Sequence, residues 1–355
     1  MSKPEKQRVV MKHGDGHLRV AERDMPEMRP GCVMIKVGAS LVSPGSELAG
    51  WRTLAALMAT PNPDASPTPF GYSNAGVVVE VAEGAEEFKP GDRVAAIGGN
   101  YAFHSDYAVV PHNLCVALPD EVTFEQGSYA MLAATAVHAL RRAEPQLGEW
   151  MAVAGLGLVG QLTAQVLQMN GCLVIGWDSI PQRIETARGW GINAVCNITE
   201  QDPAETTRAF TGGFGLDGAV VAFGGDGNAA IGALQQSLKV SRDTHQMGRI
   251  VVVGNVSFVW SLHAGANAEI RQAGRTGAGY HDGNWEVGEP YPPVFMRWNT
   301  RANLELCMRL IGEGRLDVDC LTTHTIPFDD VDAQITAALD SPDDILGVVF
   351  THDLS

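Results

Sequence analysis

One short segment constrains this chain more than any other: Gly155-Leu156-Gly157-Leu158-Val159-Gly160. It follows the apolar run Met151-Ala152-Val153-Ala154 and opens a stretch with apolar residues at helical spacing. A strand, a glycine turn and a helix in that order form a phosphate-binding unit. Gly155 permits the tight turn, Gly157 lets the backbone approach a pyrophosphate, and Gly160 allows close helix–strand packing. The N–H groups of the first helical turn, around Leu158 and Val159, carry a partial positive charge towards the phosphates.

Asp178 ends the next apolar run, 23 residues after Gly155. A carboxylate there accepts hydrogen bonds from adenosine ribose hydroxyls and repels a 2′-phosphate, so the expected cofactor is NAD rather than NADP. Arg183 opens the following helix, where it would stack on adenine or stay a solvated arginine.

The surroundings support an α/β fold. Apolar runs (WMAVAGLG, CLVIGWD, AVCNI, LDGAVVAFGG, RIVVVGN) alternate with helical patterns (LVGQLTAQVLQMNG, PQRIETARGWG, NAAIGALQQSLKV). That alternation predicts β-α-β units and a doubly wound parallel sheet. EQGSYAMLAATAVHALRRA reads as one helix ahead of it. Residues 8–110 read instead as β-rich, with RPG and KPGD turns between short runs, the texture of an irregular antiparallel barrel. The proline-dense PNPDASPTP (61–69) reads as a loop. TRANLELCMRLIGEGRL and DDVDAQITAALDS read as helices, THTIPF and ILGVVFTH as strands. The domains are expected at 1–124 with 294–355, and at 125–293.

Charge excludes some functions. With 25 Lys and Arg against 41 Asp and Glu, the net charge is −16. Nucleic acid and anionic membranes need a basic surface, so neither is an expected partner. Six dispersed cysteines show no CxxC, and the polar N-terminus has no apolar signal core. Reduced thiols in a cytoplasmic protein are expected.

The order of elements resembles the medium-chain dehydrogenase/reductase superfamily, alcohol dehydrogenase-like. The residues that carry it are GYSNAGVVVEVAEGAEEFKPGDRVAA (71–96), HSDYAVVP (104–111), AGLGLVG and GRIVVVG. The resemblance implies a GroES-like β-rich barrel domain plus a doubly wound parallel Rossmann domain. It implies hydride transfer with a nicotinamide cofactor. Zinc-dependent members hold their metal with an early Cys, the His-Glu of a GHExxG segment and a further Cys or acidic residue. Here Ser43 stands near the Cys position and Glu47 near the acidic one that follows it, Tyr72 and Ser73 replace His and Glu, and Met131 or a neighbour takes the third region. Ser, Tyr and Met are poor zinc ligands, so no metal is expected. SPGSE, GYSNAG and PYPPVFMRWNTRANLELCMRLIGEGRLDVDCLTTH resemble a zinc-free branch linked to sugar, cyclitol and polysaccharide metabolism and related to bacteriochlorophyllide dehydrogenase-like members.

Without zinc, side chains must handle the substrate oxygen and its proton. His138, Tyr72 and Glu47 are the candidate catalytic residues. Thr135, Gly254 and Asn255 are expected beside the cofactor. Ser43, Tyr280 and Trp298 are candidate substrate contacts, because aromatic faces beside polar groups suit sugar rings. Each has a plainer alternative as a packing or surface residue. The expected activity is oxidation or reduction of a sugar, cyclitol or related polyol, including transient oxidation with a recycled cofactor. A zinc-free quinone or enoyl reductase and a non-catalytic dinucleotide-binding protein remain alternatives. The resemblance also implies a homodimer or homotetramer, paired through strand edges near RIVVVGNVSF.

Overall fold

A computed structural model of the chain describes residues 4–260, 266–294 and 296–354. In chain order the elements begin with β1 (Lys6–Lys12), β2 (Leu18–Asp24), β3 (Cys32–Val42), α1 (Pro44–Glu47), α2 (Trp51–Ala59), β4 (Thr68–Pro69), β5 (Ser73–Val81) and β6 (Arg93–Ile97). β7 (Tyr107–Pro111), β8 (Cys115–Ala117), α3 (Phe124–Gly127) and α4 (Ala130–Ala143) follow. Then come β9 (Trp150–Ala154), α5 (Leu158–Met169), β10 (Leu173–Asp178), α6 (Pro181–Trp190), β11 (Ala194–Asn197), α7 (Pro203–Phe210) and β12 (Gly218–Val221). Next are β13 (Gly225–Asp226), α8 (Asn228–Ser237), β14 (Gln246–Val252), β15 (Val256–Ser257) and β16 (Ala266–Gln272). The chain closes with α9 (Gly283–Glu286), α10 (Thr300–Gly312), β17 (Thr322–Pro327), α11 (Val331–Ala338) and β18 (Gly347–Thr351).

Packing divides the chain into two compact units. One holds the chain up to Ala134, Thr276–Gly314 and the segment from Thr322 on; the other holds Thr135–Arg275 and Arg315–Leu321. Residues 276–293, read above with the nucleotide-binding half, cluster with the first unit. The reason is local bonding: Gly99 N–H donates to the Tyr280 hydroxyl at 2.9 Å, and the Asn113 side chain donates to the Trp285 carbonyl at 2.6 Å.

The first unit is built on a seven-stranded sheet in which β17, β18, β3, β5, β6 and β8 follow one another and β7 also pairs β3. β3 is long enough to serve two neighbours along one edge: Cys32–Lys36 pair with β7 and Ala39–Val42 with β18. Register shifts at Met34/Ile35 and Val37/Ala39 bend it between them. The pairs are antiparallel except β17 with β18, which run parallel. A smaller sheet, β2-β1-β4, includes the last residues of the proline-dense segment, Thr68 and Pro69. Helix α2 lies inside the stretch read as strands; Trp51 and Leu54, one helical turn apart, bury into the core with Val10, Phe70 and Phe350. The single helix expected over 125–143 is two. Thr123 caps α3 with a reciprocal Gln126 capping box, which starts a separate short helix before α4.

The second unit is a parallel sheet of order β11-β10-β9-β12-β14-β16. Alternate residues point to opposite faces. Met151, Val153, Val174 and Val220 fill one face; Ala152, Ala154, Ile175 and Ala219 fill the other. The strand order reverses between β9 and β12, which leaves a crevice at their carboxyl ends. The elements that went unread in the sequence include α7, capped by the Asp202 side chain, and β16. β16 changes the expectation for self-association. β14 is bonded to β12 on one side and β16 on the other, so RIVVVG offers no free edge. The outer edge belongs to β16.

Five cysteines are buried and Cys320 is exposed; all six are free thiols. Among the described residues, no helix is long and apolar enough to cross a membrane.

Candidate functional site

The phosphate loop sits at the carboxyl end of β9. Gly155 has φ +92°, in the left-handed region that favours glycine. A methyl group on Gly160 would lie 1.8 Å from the Gly155 carbonyl oxygen, so the start of α5 tolerates only glycine there. A methyl group on Gly157 would meet nothing within 4 Å. Gly157 is the N-cap of α5, so no side chain caps the first N–H groups of the helix. An open cradle at a helix N-terminus fits a dinucleotide pyrophosphate.

Asp178 closes β10 and is 6% exposed. Its carboxylate is more heavily engaged than its sequence position suggested. Oδ2 accepts from Leu156 N–H at 2.6 Å, and Oδ1 accepts from Ser179 and Ile180 N–H at 2.8 and 2.9 Å. Arg183 Nη1 lies 3.8 Å from Oδ2. Asp178 therefore ties the phosphate loop to the start of α6. Gly254 follows β14; a methyl group there would lie 1.9 Å from the Phe223 carbonyl oxygen. Asn255 is exposed, and its carbonyl accepts from Gly225 N–H at 3.0 Å.

His138 and Thr135 both lie on α4, Thr135 buried and His138 partly so. Burial first, then the nearby Arg142 and Arg141 charges, hold the His138 imidazole below its ordinary value. It is therefore neutral at pH 7 and can accept a proton.

A second cluster forms in the first unit. The Glu47 side chain is 3% exposed and folds back so that Ser43 N–H donates to Oε2 at 2.5 Å. Glu47 Oε1 lies 3.2 Å from His104 Nε2. His104 is fully buried, edge-on to Phe70 and Phe350 at 4.9 and 5.1 Å between ring centres. Tyr72 faces the same group. Burial, and then the Glu47 charge, push its phenol above the ordinary tyrosine range, against hydrogen bonds to Ser43 and Ser46. Tyr72 thus keeps its proton. The 98–99 turn links the two tyrosines: Gly98 N–H donates to the Tyr72 carbonyl at 2.9 Å and Gly99 N–H to the Tyr280 hydroxyl. His281 packs on Tyr280, its ring centre 4.3 Å away.

The structure thus brings Ser43, Glu47, Tyr72 and Tyr280 together. Trp298 is 45% exposed and lies beneath the Arg297 guanidinium, 4.3 Å from its ring centre. His104 and Ser46 were not read from the sequence. His104 stands in a run that alternates like a strand, and nothing in that pattern marks a residue bonded to a helix 57 positions earlier.

The residues that the resemblance sets at zinc positions, Ser43, Tyr72 and Ser73, are of types that bind zinc poorly. The buried Ser73 hydroxyl donates to the Ser128 carbonyl at 2.6 Å and accepts from Met131 N–H at 3.2 Å. Ser43 and Tyr72 bond one another. None of the three offers a soft or anionic donor. Among the described residues, no three His, Cys, Asp or Glu side chains are grouped to hold a metal ion.

Comparison with known proteins identifies the family. Residues 29–120 match the family "Alcohol dehydrogenase GroES-like domain", and residues 159–269 match "Zinc-binding dehydrogenase". Human sorbitol dehydrogenase is 26% identical over 319 residues, covering 81% of this chain and 85% of the relative. (R,R)-butanediol dehydrogenase of Bacillus subtilis is 28% identical over 235 residues, covering 58% of this chain and 67% of the relative. The crystal structure of 2R,3R-butanediol dehydrogenase from Bacillus subtilis has the same fold, with a TM-score of 0.73 at 22% identity, covering 98% of this chain and all of the other. The chain belongs to the medium-chain dehydrogenase/reductase superfamily, alcohol dehydrogenase-like. It is an oxidoreductase of that superfamily, whose members use NAD(P).

Proposed function

We propose that this chain is a zinc-independent, NAD-dependent oxidoreductase acting on a hydroxyl or keto group of a sugar, cyclitol or related polyol. The observation that carries the reading is the Tyr72–Ser43–Glu47 cluster: a neutral phenol beside a buried carboxylate. Sorbitol and butanediol dehydrogenases among the relatives support the polyol class. Asp178 supports NAD, because its carboxylate would repel a 2′-phosphate.

In this reading the second unit binds the dinucleotide and the first binds substrate. The bound dinucleotide supplies the hydride acceptor or donor. Tyr72 donates its O–H to the substrate oxygen and orients it. Glu47 accepts the proton that leaves a hydroxyl during oxidation and returns it during reduction. His138, held neutral, is the alternative base. Tyr280 and the adjoining His281 offer a ring face for a carbohydrate. The chain assembles as a homodimer or homotetramer in the cytoplasm.

The test is metal analysis and native mass spectrometry of the purified protein, followed by assay with NAD and NADP against sorbitol, xylitol, 2,3-butanediol and myo-inositol. Metal-free protein that reduces NAD with one of these polyols is the expected result. Stoichiometric zinc needed for turnover would overturn the zinc-independent reading. Turnover only of conjugated enones or quinones would replace the polyol reading.

A further inference from the structure

Leu156 is held at both of its backbone polar groups. Its N–H donates to Asp178 Oδ2 at 2.6 Å, and its carbonyl accepts from Gln161 Nε2 at 3.1 Å. Gln161 is fully buried in α5 and uses all of its amide. The same Nε2 donates to the Arg183 carbonyl at 2.8 Å, and Oε1 accepts from the Trp190 indole N–H at 2.7 Å. One side chain thus joins the phosphate loop to both ends of α6, the helix that begins just after Asp178 and carries Arg183.

Peptide planarity turns this bond into an orientation. The Leu156 carbonyl and the Gly157 N–H belong to one planar trans peptide and point in opposite directions. Holding the carbonyl on Gln161 therefore aims the Gly157 N–H away from that side chain, at a residue whose Cβ position is open. Without Gln161, that peptide has no side chain fixing its rotation. A buried carbonyl left unpaired costs free energy, so the loop would turn to find another donor.

We propose that Gln161 is a positioning residue for dinucleotide binding: it presets the Leu156–Gly157 peptide for the pyrophosphate and sets its spacing from the Asp178–Arg183 edge. This rests on the dinucleotide-binding reading above. Gln161 touches no part of the ligand; it acts through Leu156 and Arg183.

The probe is NADH, titrated calorimetrically into the full-length protein well below its melting temperature. Gln161→Met keeps the volume but removes both donations and the acceptor for Trp190. Trp190→Phe removes the Trp190 bond alone. Gln161→Met is expected to raise the NADH Kd about tenfold, the equivalent of one or two hydrogen bonds, and Trp190→Phe to leave it within about twofold. A folded Gln161→Met with a lower melting temperature but an unchanged Kd would make Gln161 a purely structural residue and overturn the proposal. Equal losses in the two variants would also overturn it, because the effect would then lie in α6 packing. If Gln161→Met does not fold, hydrogen–deuterium exchange of wild-type residues 155–161 decides. Protection already present without NADH supports a preset loop; protection gained only with NADH overturns it. Wild-type protein that binds no dinucleotide would count against the cofactor reading, while the exchange measurement would still report on the loop.

Discussion

Asp178 accepts a hydrogen bond from the Leu156 N–H at 2.6 Å, so the residue proposed to read the cofactor ribose also holds the glycine loop proposed to receive its phosphates. Replacing Asp178 by Ala removes both functions at once. The NADH Kd should rise by at least about tenfold, the preference for NADH over NADPH should shrink, and the melting temperature should fall because three backbone N–H groups lose their acceptor. Titration of both nucleotides into wild type and variant checks this. An unchanged preference would remove Asp178 from ribose recognition.

The two glycines of the loop should fail differently. Gly160→Ala forces a methyl group against the Gly155 carbonyl and should destabilise the protein by about 1–3 kcal/mol. Gly157→Ala meets nothing in the free protein, so its melting temperature should match wild type. Its methyl group would stand in the phosphate cradle and should weaken NADH binding. Thermal melts paired with NADH titration separate the two; a destabilised Gly157→Ala would contradict the open cradle.

At the first-unit cluster, Tyr72→Phe and Glu47→Gln should each lower kcat about a hundredfold on the polyol identified by assay, the usual scale for losing a proton-transfer or orienting group. The NADH Kd should not change. His104→Phe keeps the aromatic packing but removes the Nε2 contact to Glu47, leaving that carboxylate buried without its imidazole. It should lower both kcat and the melting temperature. Full activity in Tyr72→Phe would move the chemistry to another residue, His138 first.

Acid stability should depend on Asp106. Burial alone would raise its carboxyl, but His352 and then Arg8 more than offset this and hold it well below the usual carboxylate range. Arg8 grips both oxygens, at 3.0 Å each. Because the folded value lies below the unfolded value of about 3.9, the unfolded chain binds the proton first on acidification. The contribution of Asp106 is complete above about pH 5 and is lost as pH falls towards the folded value. Melting temperature followed from pH 7 to pH 3 should drop less steeply in Asp106→Asn than in wild type.

Removal of metal gives the simplest test of the donor chemistry. Dialysis against a strong chelator should leave both the melting temperature and kcat unchanged, because Ser43, Tyr72 and Ser73 supply no ligand set for zinc. A loss of activity restored by zinc would overturn that.

Much of the second unit was legible before any coordinates. Its strands are near-continuous apolar runs because both faces are covered, and the glycine loop and Asp178 occur at spacings that backbone geometry demands. β16 escaped notice because ANAEIRQ carries charged and polar residues, as an edge strand does, and no apolar run announces it. Helix α2 escaped because it lies with the short α1 between β3 and β4, and its apolar pair makes sense only against Phe70 and Phe350. The split between α3 and α4 was readable in principle, since Thr123 and Gln126 form a capping box.

What the sequence determined by itself was therefore the local and periodic part: the fold class, the glycine loop between β9 and α5 and the carboxylate that ends β10. These follow from rules acting over a few residues or one β-α-β unit. The tertiary structure alone decided which polar groups meet across the chain. His104 reaches Glu47, Tyr280 reaches the turn beside Tyr72, and Gln161 reaches Leu156, Arg183 and Trp190. Such contacts depend on how strands and helices stack, and a hydrogen bond between distant residues leaves no period or spacing in the sequence from which to read it.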